Sequence, residues 1–203
     1  MQNQYWGELV GKPRPPASPK AEILVERPAI CERVANRIYF YSDIDTRPVL
    51  QLTKELRVCA NELVSRGVIE NLQRQQIYLN IQSYGGSVFA GLAAMDEILA
   101  SPIPVTTIVD GCCASAATFL SVVGKQRLIH RHAFMLIHQL SSGFWGKYSE
   151  FQDEQTNLDR LMEMIRTIYA ERTRIPQKSL EDILKHDLWL PADKCLEYGM
   201  VDQ

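Results

Sequence analysis

Long apolar runs are missing from this sequence. No stretch reaches the roughly eighteen residues a membrane-spanning helix needs, and the opening MQNQYWGELVGKPRPPASPK lacks the apolar centre of an export signal. Neither secretion nor a membrane span is expected, and these absences leave the cytoplasm as the location. Cysteine is sparse: five residues, Cys31, Cys59, Cys112, Cys113 and Cys195, form no CxxC pair and leave one over. That fits reduced thiols used as small apolar residues better than a disulfide frame or a zinc site, so no metal is expected. A dominant charge is missing too. The 22 basic and 24 acidic residues leave a net charge of -2 with no Lys/Arg run, which gives nucleic acid or an anionic membrane no reason to bind. Glycine and proline, 11 and 10 residues, are too few for a fibrous or disordered class. Neither GxGxxG nor a Walker-type lysine is present, so the glycine turn SYGGS is a weak candidate for phosphate.

What remains is a chain of 203 residues, 46% hydrophobic, long enough for one sizeable core. KPRPPASP denies residues 1–20 a helix or a central strand and predicts a flexible arm, with one domain over residues 21–203. NRIYFYSDI alternates like a strand. Asp45 is then a plausible cap for a helix carrying Val49, Leu52 and Leu56 and ended by Gly67. Next come a strand at residues 77–81, the SYGGS turn, a helix near residues 88–100, a break at SPIP, the strand VTTIVD, a tight GCCAS and a helix from Ser115. Strands alternating with helices through short links predict an α/β fold of βαβ units on a mostly parallel sheet. Two further strands are expected at QRLIH and AFMLIH. A long helix follows over about residues 148–172, with Phe151, Leu158, Leu161, Ile165 and Ile168 at helical spacing.

Sites on parallel sheets lie at the carboxyl ends of strands, where both SYGGS and GCCAS fall. Ser115, expected at a helix N-terminus, would sit among unpaired N–H groups that favour a developing oxyanion. A serine needs a base. His138, closing AFMLIH before a glycine-containing turn, is the best placed of the four histidines, whereas His130 and His132 read as an exposed turn. Asp187 in KHDLWLP leads straight into apolar residues, so its carboxylate is expected at the core edge, able to orient an imidazole. Taken singly, each has a plainer role: Ser115 as cap, His138 as packing residue, Asp187 as turn former. The combination is what carries weight.

IYLNIQSYGGSVFAGLAAMDEI, GCCASAATFL, MLIHQ and HDLWLPADKCLEYGMVD resemble, in order and spacing, the signature blocks of the ClpP family, the proteolytic subunit of the Clp protease, over about residues 22–202. The resemblance implies Ser115 as nucleophile, His138 as general base and Asp187 as the residue holding the imidazole. It further implies an oxyanion hole from the backbone N–H groups of Gly86 and Ala116. A peptide would lie as an added strand against Gly85, Gln139 and Leu140. It implies a repeated βαβ core of ClpP/crotonase type with a protruding handle helix, matched by the long helix near residues 148–172. Protein or peptide substrates would be cleaved in stacked rings, homo-oligomeric or mixed with related subunits, that enclose the sites. No cofactor is implied; ATP would be used only by an AAA+ unfoldase partner.

The sequence departs from the family's usual residues at Tyr84 (for proline), Gln82 (asparagine), Ala116 and Ala117 (methionine and glycine), Leu140 (proline) and His186 (arginine). Asn80 stands at an aromatic position of the family's unfoldase cleft, and no apolar tail follows YGMVD, so the sequence departs from the family where an ATPase would dock. The alternatives are a phage-type capsid-processing protease, a catalytically silent subunit of a mixed ring, and an acyl-CoA enzyme of crotonase type. Phe144 and Trp145 are candidates for inter-ring contacts or for local packing against the long helix.

Overall fold

A computed structural model describes residues 30–70 and 75–203; the expected arm over residues 1–20 lies outside them. The elements are β1 (Ile30–Val34), β2 (Arg37–Tyr41), α1 (Thr46–Glu70), β3 (Ile77–Ser83), α2 (Val88–Leu99), β4 (Val105–Ala114), α3 (Ala117–Val122), β5 (Gln126–Ile129), β6 (Phe134–Leu136), α4 (Tyr148–Arg172), α5 (Gln177–Ile183), β7 (Leu190–Pro191) and α6 (Ala192–Glu197). One sheet runs in the order β1-β2-β3-β4-β6-β7, with β5 also paired to β4. Pairs β2·β3, β3·β4, β4·β5 and β4·β6 are parallel, while the two rims, β1·β2 and β6·β7, are antiparallel.

β4 organises the sheet because it has two partners on one side. Its first half, Thr106 to Val109, takes β5, and its second half, Cys112 to Ala114, takes β6. Between them Gly111 adopts φ +68, a left-handed turn of the backbone that a side chain would oppose. The strand expected to stop at Asp110 therefore continues through GCCA up to the edge of Ser115. Ile38, Phe40, Ile77, Leu79, Ile81 and Val109 face inward from the sheet and meet Leu52, Leu56 and Cys59 of α1 and Ala94 and Ile98 of α2. All six residues of α3 are buried.

Several expectations are corrected. Gly67 does not end the first helix, which continues to Glu70. The expected helix from Ser115 starts at Ala117, because Ser115 itself takes φ +54 and cannot belong to a right-handed helix. The strand expected over AFMLIH is only Phe134–Leu136 and releases His138 into irregular chain. Asp45 stands just before the first helix and its carbonyl accepts the Val49 N–H at 3.0 Å, but its carboxylate takes only the adjacent Thr46 N–H at 2.7 Å, not a second- or third-residue donor as a capping side chain would. The long helix spans Tyr148–Arg172 as expected, yet it buries only Ile165, Ile168 and Tyr169, all in its second half. Its first half projects from the body, and Phe144 packs edge-on to Phe151 at 5.1 Å while Trp145 is 92% exposed. Among the described residues no helix is long and apolar enough to cross a membrane.

Arg127 of β5 ties together the far end of the molecule. Its guanidinium donates to the carbonyls of Arg172 (2.5 Å) and Gly199 (2.9 Å), and pairs with the Asp202 carboxylate, whose pKa it holds below the usual range. A carboxylate with a depressed native pKa stabilises the fold above its unfolded pKa of about 4 and loses that contribution as pH falls. Asp202→Asn should therefore lower the melting temperature near neutral pH, and the gap from the parent chain should shrink as pH falls through about 4. A gap that stays constant over that range would show that the charge on Asp202 does not contribute to stability.

Candidate active site

Two side chains of the site, Ser115 and His138, are delivered by the ends of paired strands. Ser115 follows β4 directly and His138 lies two residues beyond β6, so the pairing of these strands sets their separation. One further hydrogen bond, from the Ser115 N–H to the Leu136 carbonyl at 2.8 Å, extends the pairing past the ladder. The result is a 2.8 Å contact between Ser115 Oγ and His138 Nε2. On the other side of the ring, His138 Nδ1 lies 2.9 Å from Asp187 Oδ1. An imidazole between a hydroxyl and a carboxylate in this order can take the serine proton at Nε2 while the carboxylate fixes the Nδ1–H tautomer.

Asp187 differs from expectation in its setting. Its side chain is 78% exposed, not set at the core edge, because it stands on irregular chain between α5 and β7. Trp189, two residues on, packs edge-on against Tyr84 at 6.3 Å and so joins this segment to the glycine turn. His130 is exposed, as expected of a turn, though its ring reaches Asp110 Oδ1 at 2.9 Å; His132 is exposed as well.

The serine is held in a conformation that L-residues avoid. A φ of +54 costs on the order of 1–2 kcal/mol and is kept only where the surroundings over-determine it. Here the N–H is taken by Leu136, and the carbonyl accepts both the Thr118 N–H (3.0 Å) and the Thr118 hydroxyl (2.6 Å). The sharp strand-to-helix turn that results leaves the hydroxyl half-exposed above a buried α3, the arrangement of a nucleophile elbow.

The glycine turn closes over this elbow. A Cβ on Gly85 would stand 2.6 Å from Ser115 Cβ and 2.7 Å from the Ala114 carbonyl, and φ +97 is itself a glycine conformation. Gly86, at φ +146, lies so close to Ile44 that a Cβ would meet the Ile44 carbonyl at 2.3 Å. Hydrogen bonds from Ile44 N–H to Gly85 O (2.8 Å) and from Ser87 N–H to Ile44 O (2.7 Å) lock the turn. Among the described residues the N–H groups of Gly86 and Ala116 donate to no acceptor. Those are the two donors expected to face an oxyanion.

The three residues expected to bind a substrate strand are differently engaged. Gly85 donates its N–H to Ser83 Oγ (3.1 Å), and Gln139 donates its own to the Leu184 carbonyl (2.7 Å). Leu140 has only the Met162 thioether as acceptor, at 3.2 Å. A sulfur is a weak acceptor, so this is the donor that an incoming carbonyl can most readily take over. Burial raises the pKa of both neighbouring thiols, Cys112 and Cys113, keeping them protonated. No three His, Cys, Asp or Glu side chains cluster to hold a metal among the described residues.

Sequence reasoning missed the left-handed Ser115, which no local residue type announces, and missed Thr118 and Tyr169. Thr118 is a lone hydroxyl inside the apolar AATFL, and Tyr169 is the one buried polar-tipped residue of α4; their hydroxyls meet at 2.7 Å. A polar residue inside an otherwise apolar run was the available signal.

An α/β sheet with a serine and a histidine beyond the carboxyl ends of parallel strands, in hydrogen-bonded line with an aspartate from a surface segment, defines the class of hydrolase-like proteins built around a serine elbow. Comparison narrows the class. The Clp protease family model matches residues 35–203. The chain is 34% identical over 197 residues to the ATP-dependent Clp protease proteolytic subunit 3 of Streptomyces coelicolor, covering 94% of this chain and 88% of that protein. It is 33% identical over 177 residues to an ATP-dependent Clp protease proteolytic subunit of Oltmannsiellopsis viridis, covering 85% and 91%. Among solved structures, a ClpP1 mutant from Listeria monocytogenes matches with a TM-score of 0.71 at 22% identity, over 83% of this chain and 90% of that one. The chain belongs to the Clp protease family and has the ClpP fold.

Gly85→Ala should leave the fold intact and cut the reactivity of Ser115 by at least about tenfold, since the added methyl must displace the serine or the turn. Equal reactivity in a chain of unchanged melting temperature would mean that the close approach of turn and elbow is not needed.

Proposed function

We propose that the chain is a serine peptidase that cleaves peptides and unfolded proteins through an acyl-enzyme. One observation carries the reading: His138 bridges Ser115 Oγ at 2.8 Å and Asp187 Oδ1 at 2.9 Å. In this reading His138 takes the Ser115 proton as Oγ attacks the scissile carbonyl, then returns it to the leaving amine. Water repeats the cycle and frees the acyl product. The N–H groups of Gly86 and Ala116 receive the oxyanion, each donor worth about 3 kcal/mol in the transition state. Asp187 keeps its charge throughout and stabilises the imidazolium.

The relatives' names add the setting. They are called proteolytic subunits of an ATP-dependent protease, and this chain accordingly acts as one subunit of a ring, homo-oligomeric or mixed, in the cytoplasm. The projecting half of α4, which begins with Tyr148 (80% exposed) just after Trp145 (92% exposed), supplies apolar surface for such assembly. An AAA+ unfoldase would deliver unfolded chains. The outer sheet face where it would dock carries a polar set, Arg37 to Asn80 (2.7 Å) and Asn80 and Tyr41 to Asp110 (2.6 and 2.7 Å), so docking here would differ from that on an apolar cleft.

Intact-protein mass spectrometry after fluorophosphonate treatment tests the reading. One adduct is expected on the parent chain and none on Ser115→Ala, and the same substitution should lower peptide cleavage by roughly 10⁴-fold or more. An assembled parent chain that takes no adduct would rule out an active serine, and cleavage that survives in Ser115→Ala would assign the activity to another group.

A further inference from the structure

The buried hydroxyls of Thr118 and Tyr169 have no part in the line formed by Ser115, His138 and Asp187. Thr118 is fully buried on α3, and Tyr169, 1% exposed, reaches it from α4. Thr118 Oγ1 lies 2.6 Å from the Ser115 carbonyl oxygen and 2.7 Å from the Tyr169 hydroxyl. Counting protons fixes the direction of both bonds. A carbonyl has no proton to give, so the single Thr118 hydroxyl proton points at Ser115 O, and the proton between the two hydroxyls must come from Tyr169. Burial raises the Tyr169 pKa, which keeps the phenol a donor. The chain therefore runs one way, from Tyr169 to Thr118 to the Ser115 carbonyl, each link polarising the next.

The far side of that carbonyl is what gives the chain its use. The Ser115 C=O and the Ala116 N–H are opposite edges of one planar trans peptide unit. Pinning the oxygen toward Thr118 turns the Ala116 N–H to the other side, and that N–H is one of the two donors flanking Ser115 that have no acceptor among the described residues. We propose that Thr118 and Tyr169 are positioning residues for the oxyanion hole: by holding the Ser115–Ala116 peptide plane they aim the Ala116 N–H. The inference rests on the serine peptidase reading above. It also makes the seating of α4, which carries Tyr169, a condition for transition-state stabilisation and not for substrate binding. Phe119 packs on the Tyr169 ring at 6.1 Å, so removing only the phenol oxygen leaves the packing in place.

The test uses Thr118→Val, Thr118→Ser, Tyr169→Phe and the Thr118→Val/Tyr169→Phe double variant, each as the assembled protein, with peptide turnover and inhibition by a peptide aldehyde measured across pH. Thr118→Val should lower kcat by about 10- to 100-fold, short of the loss on deleting an oxyanion donor outright, with KM unchanged. Tyr169→Phe should cost less, about three- to tenfold, and Thr118→Ser, which keeps the hydroxyl, should stay within about threefold of the parent. Aldehyde affinity should fall in step with kcat/KM, as for any loss confined to the tetrahedral state. The pH profile should not move, because the His138 contacts are untouched. The double variant should match Thr118→Val alone, since Tyr169 acts only through Thr118.

Normal kcat in Thr118→Val, a loss confined to KM, a shifted pH profile, or losses that multiply in the double variant would each overturn the relay. Should Thr118→Val fail to assemble, Tyr169→Phe and Thr118→Ser decide by the same criteria. The two readings separate on the parent chain. If it neither labels at Ser115 nor cleaves, the peptidase reading falls and the relay with it; if it does both while the variants behave as the parent, only the relay falls.

Discussion

The pairing of the second half of β4 with β6 is the constraint on which the site depends. It places the last strand residue before Ser115 beside Leu136, and the bond from the Ser115 N–H to the Leu136 carbonyl continues that register into the turn. From there the chain has to reverse into α3 within two residues, and Ser115 takes up the reversal with φ +54. His138 lies two residues past Leu136 along the partner strand, so the same ladder fixes both members of the hydroxyl–imidazole contact. A slip of one residue in this pairing would turn every side chain to the other face and separate the two groups. Local strain at the serine is thus held by strand pairing on one side and by Thr118 on the other.

Around this centre, rigidity and exposure are unevenly divided. Ser115 and its supports sit on or beside buried elements: all of α3 is inside, and Tyr169 anchors α4 under it. Asp187 and the glycine turn lie at the surface, joined to each other by Tyr84 and Trp189. An exposed carboxylate is a weaker holder of the imidazole than a buried one, because water screens it.

The parts of the fold that the sequence made legible are those with a strong local period. The helix Tyr148–Arg172 and the strand from Ile77 follow from apolar spacing alone, and Ser115, His138 and Asp187 could be singled out because each ends or begins an apolar run. What stayed hidden depends on tertiary contacts. Ile30–Val34 is short and carries Glu32 and Arg33, so its role as an edge strand beside β2 has no periodic signature. The continuation of β4 through GCCA needs β6 as a partner, and the left-handed serine is held by hydrogen bonds to Leu136 on one side and Thr118 on the other, not by its own preference. Gly67 read as a helix end because glycine commonly is one; here the helix continues to Glu70. The proton chain from Tyr169 joins residues 51 positions apart, a distance that no sequence pattern spans.

The most direct measurement is a crystal structure of the assembled protein carrying a tetrahedral peptide-boronate adduct on Ser115. One adduct oxygen should lie about 2.7–3.1 Å from both the Gly86 and the Ala116 nitrogens, with Ser115 still at positive φ and its carbonyl still on the Thr118 hydroxyl. An adduct oxygen turned away from those nitrogens, or a Ser115 relaxed to negative φ with its peptide plane rotated off Thr118, would contradict the account.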